Sequence, residues 1–137
     1  MSSKVLEKST EILVPFHDVD LMAIVWHGHY VKYLEIARCA LFEDLDYNYL
    51  QMKESGYAWP IIDVRIRYPG SARFNEVIKV NAKIVEWENR LKVDYEVFNK
   101  QGQRLTRAHT VQVAVDLSSN EMCLESPDIL LDKLGVK

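Results

Sequence analysis

The run "FHDVDLMAIVWHGHY", residues 16–30, holds five titratable groups of the kinds that move protons or bind metals. His17, Asp18, Asp20, His27 and His29 are threaded between Phe16, Ile24, Val25 and Trp26, which favour burial. Three readings of this crowding stand open. Asp18 and Asp20 suit turns, where an Asp side chain bonds its own backbone two residues on. Imidazoles and carboxylates together also make a donor set for a metal, although HxH and DxD match no metal motif at this spacing, and no metal site is expected. The third reading is acid–base or nucleophilic chemistry. An Asp just upstream of a helix start can act as base or nucleophile. The unsatisfied N–H groups of a helix's first turn then face a developing oxyanion.

The elements that must position these groups follow from hydrophobic period. Upstream, Ile12 and Val14 alternate with Glu11 and Leu13, and Pro15 closes a short strand. Downstream, Tyr30, Tyr33, Leu34, Ala37, Leu41, Leu45 and Tyr49 approximate helical spacing, which predicts one helix over about residues 29–53. From Ala58 the period becomes two. Ile62, Val64, Ile66 and Tyr68 form one apolar face, with Asp63, Arg65 and Arg67 opposite. Two further strands alternate in the same way, one through Ile78, Val80, Ala82 and Ile84, the next through Leu91, Val93, Tyr95 and Val97. In "TRAHTVQVAVD" the apolar set is Val111, Val113 and Val115, which places His109 on the same side as a core histidine. "SPDILLDKLG" predicts a short final helix capped by Ser126, begun by Pro127 and stopped by Gly135.

Short connections between the strands favour antiparallel neighbours. Their apolar face needs a cover, and the long helix is the only element large enough. The expectation is an α+β fold, a curved antiparallel sheet wrapped around one helix, in a single domain spanning residues 1–137. An exposed strand edge invites a second copy, so a homodimer or homotetramer is expected. With a net charge of −3 the chain offers no basic surface for nucleic acid. No stretch is long and apolar enough to span a membrane. Cys39 and Cys123 form no CxxC motif or disulfide framework, which suits the cytoplasm.

The segment "DVDLMAIVWHGHYVKYLEIAR", residues 18–38, resembles the hotdog-fold acyl-CoA thioesterases, in particular the 4-hydroxybenzoyl-CoA and Tol-Pal-associated groups. Their pattern is roughly D-x-D-x-x-G-x-V-[YW]-H-x-N-Y followed by E-x-A-R. Asp18, Asp20, Val25, Trp26, His27, Tyr30, Glu35, Ala37 and Arg38 match it in register. The resemblance implies a hotdog fold and hydrolysis of an acyl-CoA or acyl-carrier-protein thioester, without cofactor. It puts Asp20 at the catalytic carboxylate, as nucleophile or general base, with His27 assisting. It puts Tyr30 and Glu35 at the acyl pocket, with Met22 and Trp26 beside it. Arg90 and Lys92, and more weakly Arg73, fall where relatives carry basic residues near coenzyme A phosphates. Three residues depart from the pattern. Ala23 replaces a Gly, with Met22 filling a neighbouring small position, and His29 replaces an Asn at the expected helix cap. Because Ala resists positive φ, a changed local backbone or a pocket narrowed by Met22 is expected. Two alternatives share the fold's features: a hydroxyacyl-thioester dehydratase, and a non-catalytic acyl-thioester-binding protein.

Overall fold

The computed structural model describes residues 6–136. Five strands form one antiparallel sheet: β1 (Glu7–Leu13), β3 (Ile61–Arg67), β4 (Val77–Glu86), β5 (Leu91–Phe98) and β6 (Arg104–Gln112), in the order β1-β4-β5-β6-β3. Three two-residue strands, β2 (Tyr57–Ala58), β7 (Val115–Asp116) and β8 (Glu121–Met122), make a small second sheet that strand periodicity could not announce. The first helix, α1 (His29–Asp44), packs across β1 and β4. Its buried face is Tyr30, Tyr33, Leu34, Ala37, Arg38, Leu41 and Phe42. It meets Ile78, Val80, Ala82, Ile84, Leu91, Val93, Tyr95 and Val97 from the sheet, all buried in the same core. Each large apolar side chain so buried contributes roughly 1.5–3 kcal/mol. This is the hotdog arrangement, a sheet curled around one helix.

The expected single helix over 29–53 is two. α1 ends at Asp44, and a second helix, α2 (Tyr49–Glu54), begins after a break. Asp46 in the break takes φ 58°. Asn48 then caps α2 in a reciprocal box: its side chain accepts from the Gln51 amide at 2.9 Å, while Gln51 Oε1 accepts from the Asn48 amide at 2.7 Å. The two satisfied amides favour a fresh start over continuation. The last helix, α3 (Asp128–Leu134), is capped by Pro127, not Ser126, whose buried hydroxyl has no partner among the described residues. Gly135 does end it, at φ 71°.

β6 departs from its expected register. Thr106, Ala108, Thr110 and Gln112 stand opposite Val97, Tyr95, Val93 and Leu91, so they are the residues on the inner face. Arg107 and His109 lie on the outer face opposite Glu96 and Asp94. His109 is therefore no core histidine; its Nε2 lies 3.6 Å from Asp63. Val111 shares the outer face with Lys92 yet is buried, and the strand ends before Val113 and Val115. With a small or polar inner face, the valines misstate the alternation. β3 keeps its expected alternation, with Val64 and Ile66 opposite Thr110 and Ala108. It is, however, the far edge of the sheet, away from α1, and Ile62 stays 58% exposed. No helix among the described residues is long and apolar enough to cross a membrane.

Candidate active site

The 16–30 run forms a tight loop that turns back on itself before α1. A one-turn 3-10 helix, Phe16–Asp18, leads into it. The Trp26 amide then donates to the Asp18 carbonyl, Val19 bridges Val25, and the Asp20 amide donates to the Ile24 carbonyl. The loop is stitched to the 72–76 segment by Val25 N–H to Ala72 O, Phe74 N–H to Ala23 O and a bridge from Ile24 to Arg73. Ala23 adopts φ 60°. The expected change of backbone does not occur as avoidance: Ala23 takes the left-handed conformation a Gly would favour, at roughly 1–2 kcal/mol. Met22 is exposed and lines neither of the two cavities described.

The two aspartates have opposite surroundings. Asp18 is 1% exposed. Its two oxygens accept from Lys32 Nζ at 2.7 Å each, and Oδ2 also accepts from the Tyr33 hydroxyl at 2.6 Å. His29 Nδ1 and His17 Nε2 each lie 3.7 Å away. Burial pushes its carboxyl pKa up, but the bonds from Lys32 and Tyr33, with the Lys32 and His29 charges, carry it below the ordinary carboxylate value. The same pairing, added to burial, holds the Tyr33 phenol well above its ordinary value. Asp18 thus ties the loop to the first turn of α1.

Asp20 is exposed. Its Oδ1 accepts from the Met22 amide at 2.8 Å and, more weakly, from Ile24 at 3.4 Å. That is the local turn bonding expected of a loop Asp. Its Oδ2 makes no hydrogen bond and no cation pairs with it among the described residues. Phe16, Leu21, Met22, Trp26 and Phe74 are large apolar side chains exposed on this loop and its 72–76 neighbour. Phe16 and Phe74 meet edge to face at 5.6 Å.

The other expected site residues divide. His27 is exposed and touches Trp26 and Tyr68 (ring centroids 5.0 and 6.3 Å), with no bond to Asp20. Its backbone matters more. The His29 and Tyr30 amides are spent on the Trp26 and His27 carbonyls, whereas those of His27 and Gly28 make no hydrogen bond among the described residues. Gly28, not His29, is the cap of α1. A Cβ on Gly28 would collide with the Trp26 ring. Tyr30 is core: it is buried, and its hydroxyl accepts from the Ala72 amide at 2.9 Å. Glu35 is exposed on α1, 3.7 Å from Arg38. Arg38 itself is buried on the Tyr49 and Tyr95 hydroxyls. Arg73 is brought beside the Asp20 loop through its bridge to Ile24. Arg90 and Lys92 are elsewhere: Arg90 is held by Glu86 beyond β4, and Lys92 sits on the outer sheet face. Asp18, Lys32 and Tyr33 went unrecognised as a unit, because contacts 14 and 15 residues apart leave no local signal. Among the described residues no three His, Cys, Asp or Glu converge as a metal site.

Residues 14–133 match the model of the thioesterase-like superfamily. A Bacillus subtilis protein provisionally named acyl-CoA thioesterase YneP is 30% identical over 110 residues, covering 80% of each chain. A DHNA-CoA thioesterase from Staphylococcus aureus superposes with a TM-score of 0.79 at 25% identity, covering 86% of this chain and 80% of that one. A 4-hydroxybenzoyl-CoA thioesterase variant shares the fold, with a TM-score of 0.82 at 19% identity over 95% and 99% of the two chains. On the strength of the family match, which spans the loop, α1 and strands β3 to β6 of the five-stranded sheet, this chain belongs to the thioesterase-like superfamily.

Proposed function

We propose that this protein is an acyl-CoA thioesterase whose reactive group is Asp20. The observation that supports it is the asymmetry of that carboxylate. One oxygen is pinned by the Met22 amide, and the other is unpaired among the described residues and open to solvent. Water and the acyl thioester yield the carboxylic acid and the free thiol. Asp20 Oδ2 either attacks the carbonyl carbon, giving an anhydride that water then opens, or takes the proton of an attacking water. The carbonyl oxygen gains negative charge in both routes. The unspent His27 and Gly28 amides are the donors available to meet it. His27 serves through its backbone in this reading, and its ring joins Trp26 and Tyr68 as an aromatic wall for the acyl group. Arg73 is the basic residue best placed to meet the coenzyme A moiety.

The test is thiol release from short-chain, long-chain and aryl acyl-CoA thioesters by wild type and Asp20→Asn in parallel. Asn keeps the Oδ1 acceptor that holds the turn and removes only the charge, so it isolates chemistry from loop structure. Turnover that survives intact in Asp20→Asn removes Asp20 from the mechanism.

The same reading includes a homodimer joined at β3. That strand is an unpaired sheet edge, and its own Ile61, Ile62 and Val64 are exposed. Sedimentation equilibrium should return about twice the 15.9 kDa chain mass; a monomer at tens of micromolar would refute the pairing. Cys39 and Cys123 are both free, in keeping with a cytoplasmic setting.

A further inference from the structure

The larger of the two cavities described is not at Asp20. It is a groove of about 620 Å³ on the outer face of the sheet, the face turned away from α1. Arg65, Arg67, Lys83, Lys92, Arg104 and Arg107 line it, with Glu7, Asp94 and Glu96 as the opposing carboxylates. This is a positive groove on a chain of net charge −3.

The register concentrates the charge at one end. Arg67 of β3 stands directly opposite Arg107 of β6, and Arg65 stands opposite His109. Like charges placed directly across a ladder are destabilising, so this juxtaposition costs stability unless something neutralises it. The nearby carboxylates are too few to balance the groove. Glu96 holds Arg104 at 3.0 Å, Glu7 accepts from Asn81 at 3.0 Å, and Asp63 lies 3.6 Å from His109. Arg65, Arg67 and Arg107 have no ion pair or hydrogen-bonded side-chain partner among the described residues. Glu96 also stands across the ladder from Arg107, Asp94 lies between Lys83 and His109, and Glu7 keeps its charge, so three carboxylates face the six cations of the groove.

From this we infer a binding site for a polyphosphate anion, centred on Arg65, Arg67 and Arg107. Three guanidiniums present planar forks that match phosphate oxygens in pairs. A single negative charge would leave most of the cluster uncompensated, whereas a di- or triphosphate balances it. The groove volume falls within the ~300–1,000 Å³ typical of small-ligand sites. Two sources carry this chemistry: the nucleotide end of a coenzyme A thioester, and a free nucleotide or inorganic polyphosphate. Both are geometrically open. Arg67 is followed by Tyr68, whose hydroxyl donates to the His27 carbonyl at 3.3 Å. The cluster therefore begins across the end of β3 from the Asp20 loop.

The experiment is calorimetric titration at fixed ionic strength with inorganic tripolyphosphate, ATP and 3′-phosphoadenosine 5′-diphosphate. It compares wild type with the triple variant Arg65→Ser, Arg67→Ser, Arg107→Ser. All three positions are exposed, so the variant should fold, and its thermal unfolding checks this. Wild type should bind at least one probe with a Kd of about 1 mM or tighter, and the variant at least about tenfold more weakly. Wild-type binding should also weaken as salt rises. The binding arm stands whether or not the thioesterase reading does. A kinetic arm separates the sources on that reading. If the site takes the thioester's own nucleotide, the triple variant raises KM for acyl-CoA and leaves KM for the matching acyl-pantetheine unchanged. If it takes a separate anion, both KM values hold while probe binding is lost. Failure of wild type to bind any probe at 5 mM (roughly five times that Kd), or equal binding by the triple variant, overturns the proposal.

Discussion

Asp18 and Asp20 are two residues apart on one loop and live in different solvents. Asp18 is sealed in the core, gripped by Lys32 and Tyr33, its pKa drawn down by what holds it. Asp20 is held through one oxygen by its own turn and is otherwise free. A buried, fully hydrogen-bonded carboxylate is a poor nucleophile, because reaction would strip the bonds that stabilise its charge. A free one is reactive but contributes little to stability. Two residues is the side-chain period of an extended chain, which would put both carboxylates on one side. The bend through Phe16–Asp18 and the hairpin after Val19 separate them instead. One carboxylate anchors the loop on α1, and the other can then be presented at a fixed place without an anchor of its own.

The largest expected effect breaks the chemical half of this comparison. Asp20→Asn should lower kcat by about 10²–10⁴, the usual contribution of a general acid or base. Its stability should stay within about 0.5 kcal/mol of wild type, as expected for an exposed substitution that preserves the turn acceptor. Thiol release and urea denaturation on the same preparation read both. A large stability loss with Asp20→Asn would mean that the two aspartates are not divided as described.

The structural half breaks with Lys32→Ala. This leaves the Asp18 charge buried with only Tyr33 and the two more distant histidines, and should cost about 3 kcal/mol, or a fall in Tm of roughly 10 °C. Asp18→Asn should cost less, about half as much. It leaves behind an ammonium that is partly exposed and can return to water. The order of the two losses is the test: equal or reversed losses would show that Lys32, not Asp18, is the group confined.

Acid sharpens the same point. A carboxyl whose folded pKa is depressed adds stability above its unfolded value, and that stability is lost as pH falls through the folded value. Asp18 should stabilise fully near neutral pH and progressively less from about pH 4 downward. The stability gap between wild type and Lys32→Ala should accordingly narrow below about pH 4. A gap constant from pH 7 to 3 would show that the Lys32 contribution is packing and not charge.

Particular residues show what was legible in the chain and what was not. The inner faces of β4 and β5 follow from strict alternation, and the family from the match at Asp18, Asp20, Val25, Trp26, His27 and Tyr30. The break in the helix was written in Asn48 and Gln51, a capping pair, but was masked by apolar residues that keep helical spacing through it. The register of β6 was not legible. Thr106, Thr110 and Gln112 face inward, where Thr110 meets the Tyr95 hydroxyl at 2.7 Å and Gln112 donates to the Trp59 carbonyl at 2.7 Å. Polar residues satisfied by distant partners look like surface when read one segment at a time. The burial of Asp18 was hidden for the same reason: its partners Lys32 and Tyr33 are carried back to the loop by the helix.

The smallest effect tests how far the loop's shape matters to Asp20. Ala23 at φ 60° bears roughly 1–2 kcal/mol of strain that Gly would not. Gly also makes the unfolded chain more flexible, at about 0.4–1 kcal/mol. Ala23→Gly should therefore stabilise by about 0.5–1 kcal/mol net, a rise in Tm of a few degrees. The strain is confined to one residue whose carbonyl already accepts from Phe74 and whose amide already donates to the Asp20 carbonyl. Relieving it should leave those bonds, and the Met22 amide on Asp20 Oδ1, where they are, with kcat unchanged. If Ala23→Gly instead lowers kcat while raising stability, the methyl group is holding the Asp20 turn in a reactive shape that a more flexible glycine would let drift. The strain would then belong to the chemistry rather than to the fold.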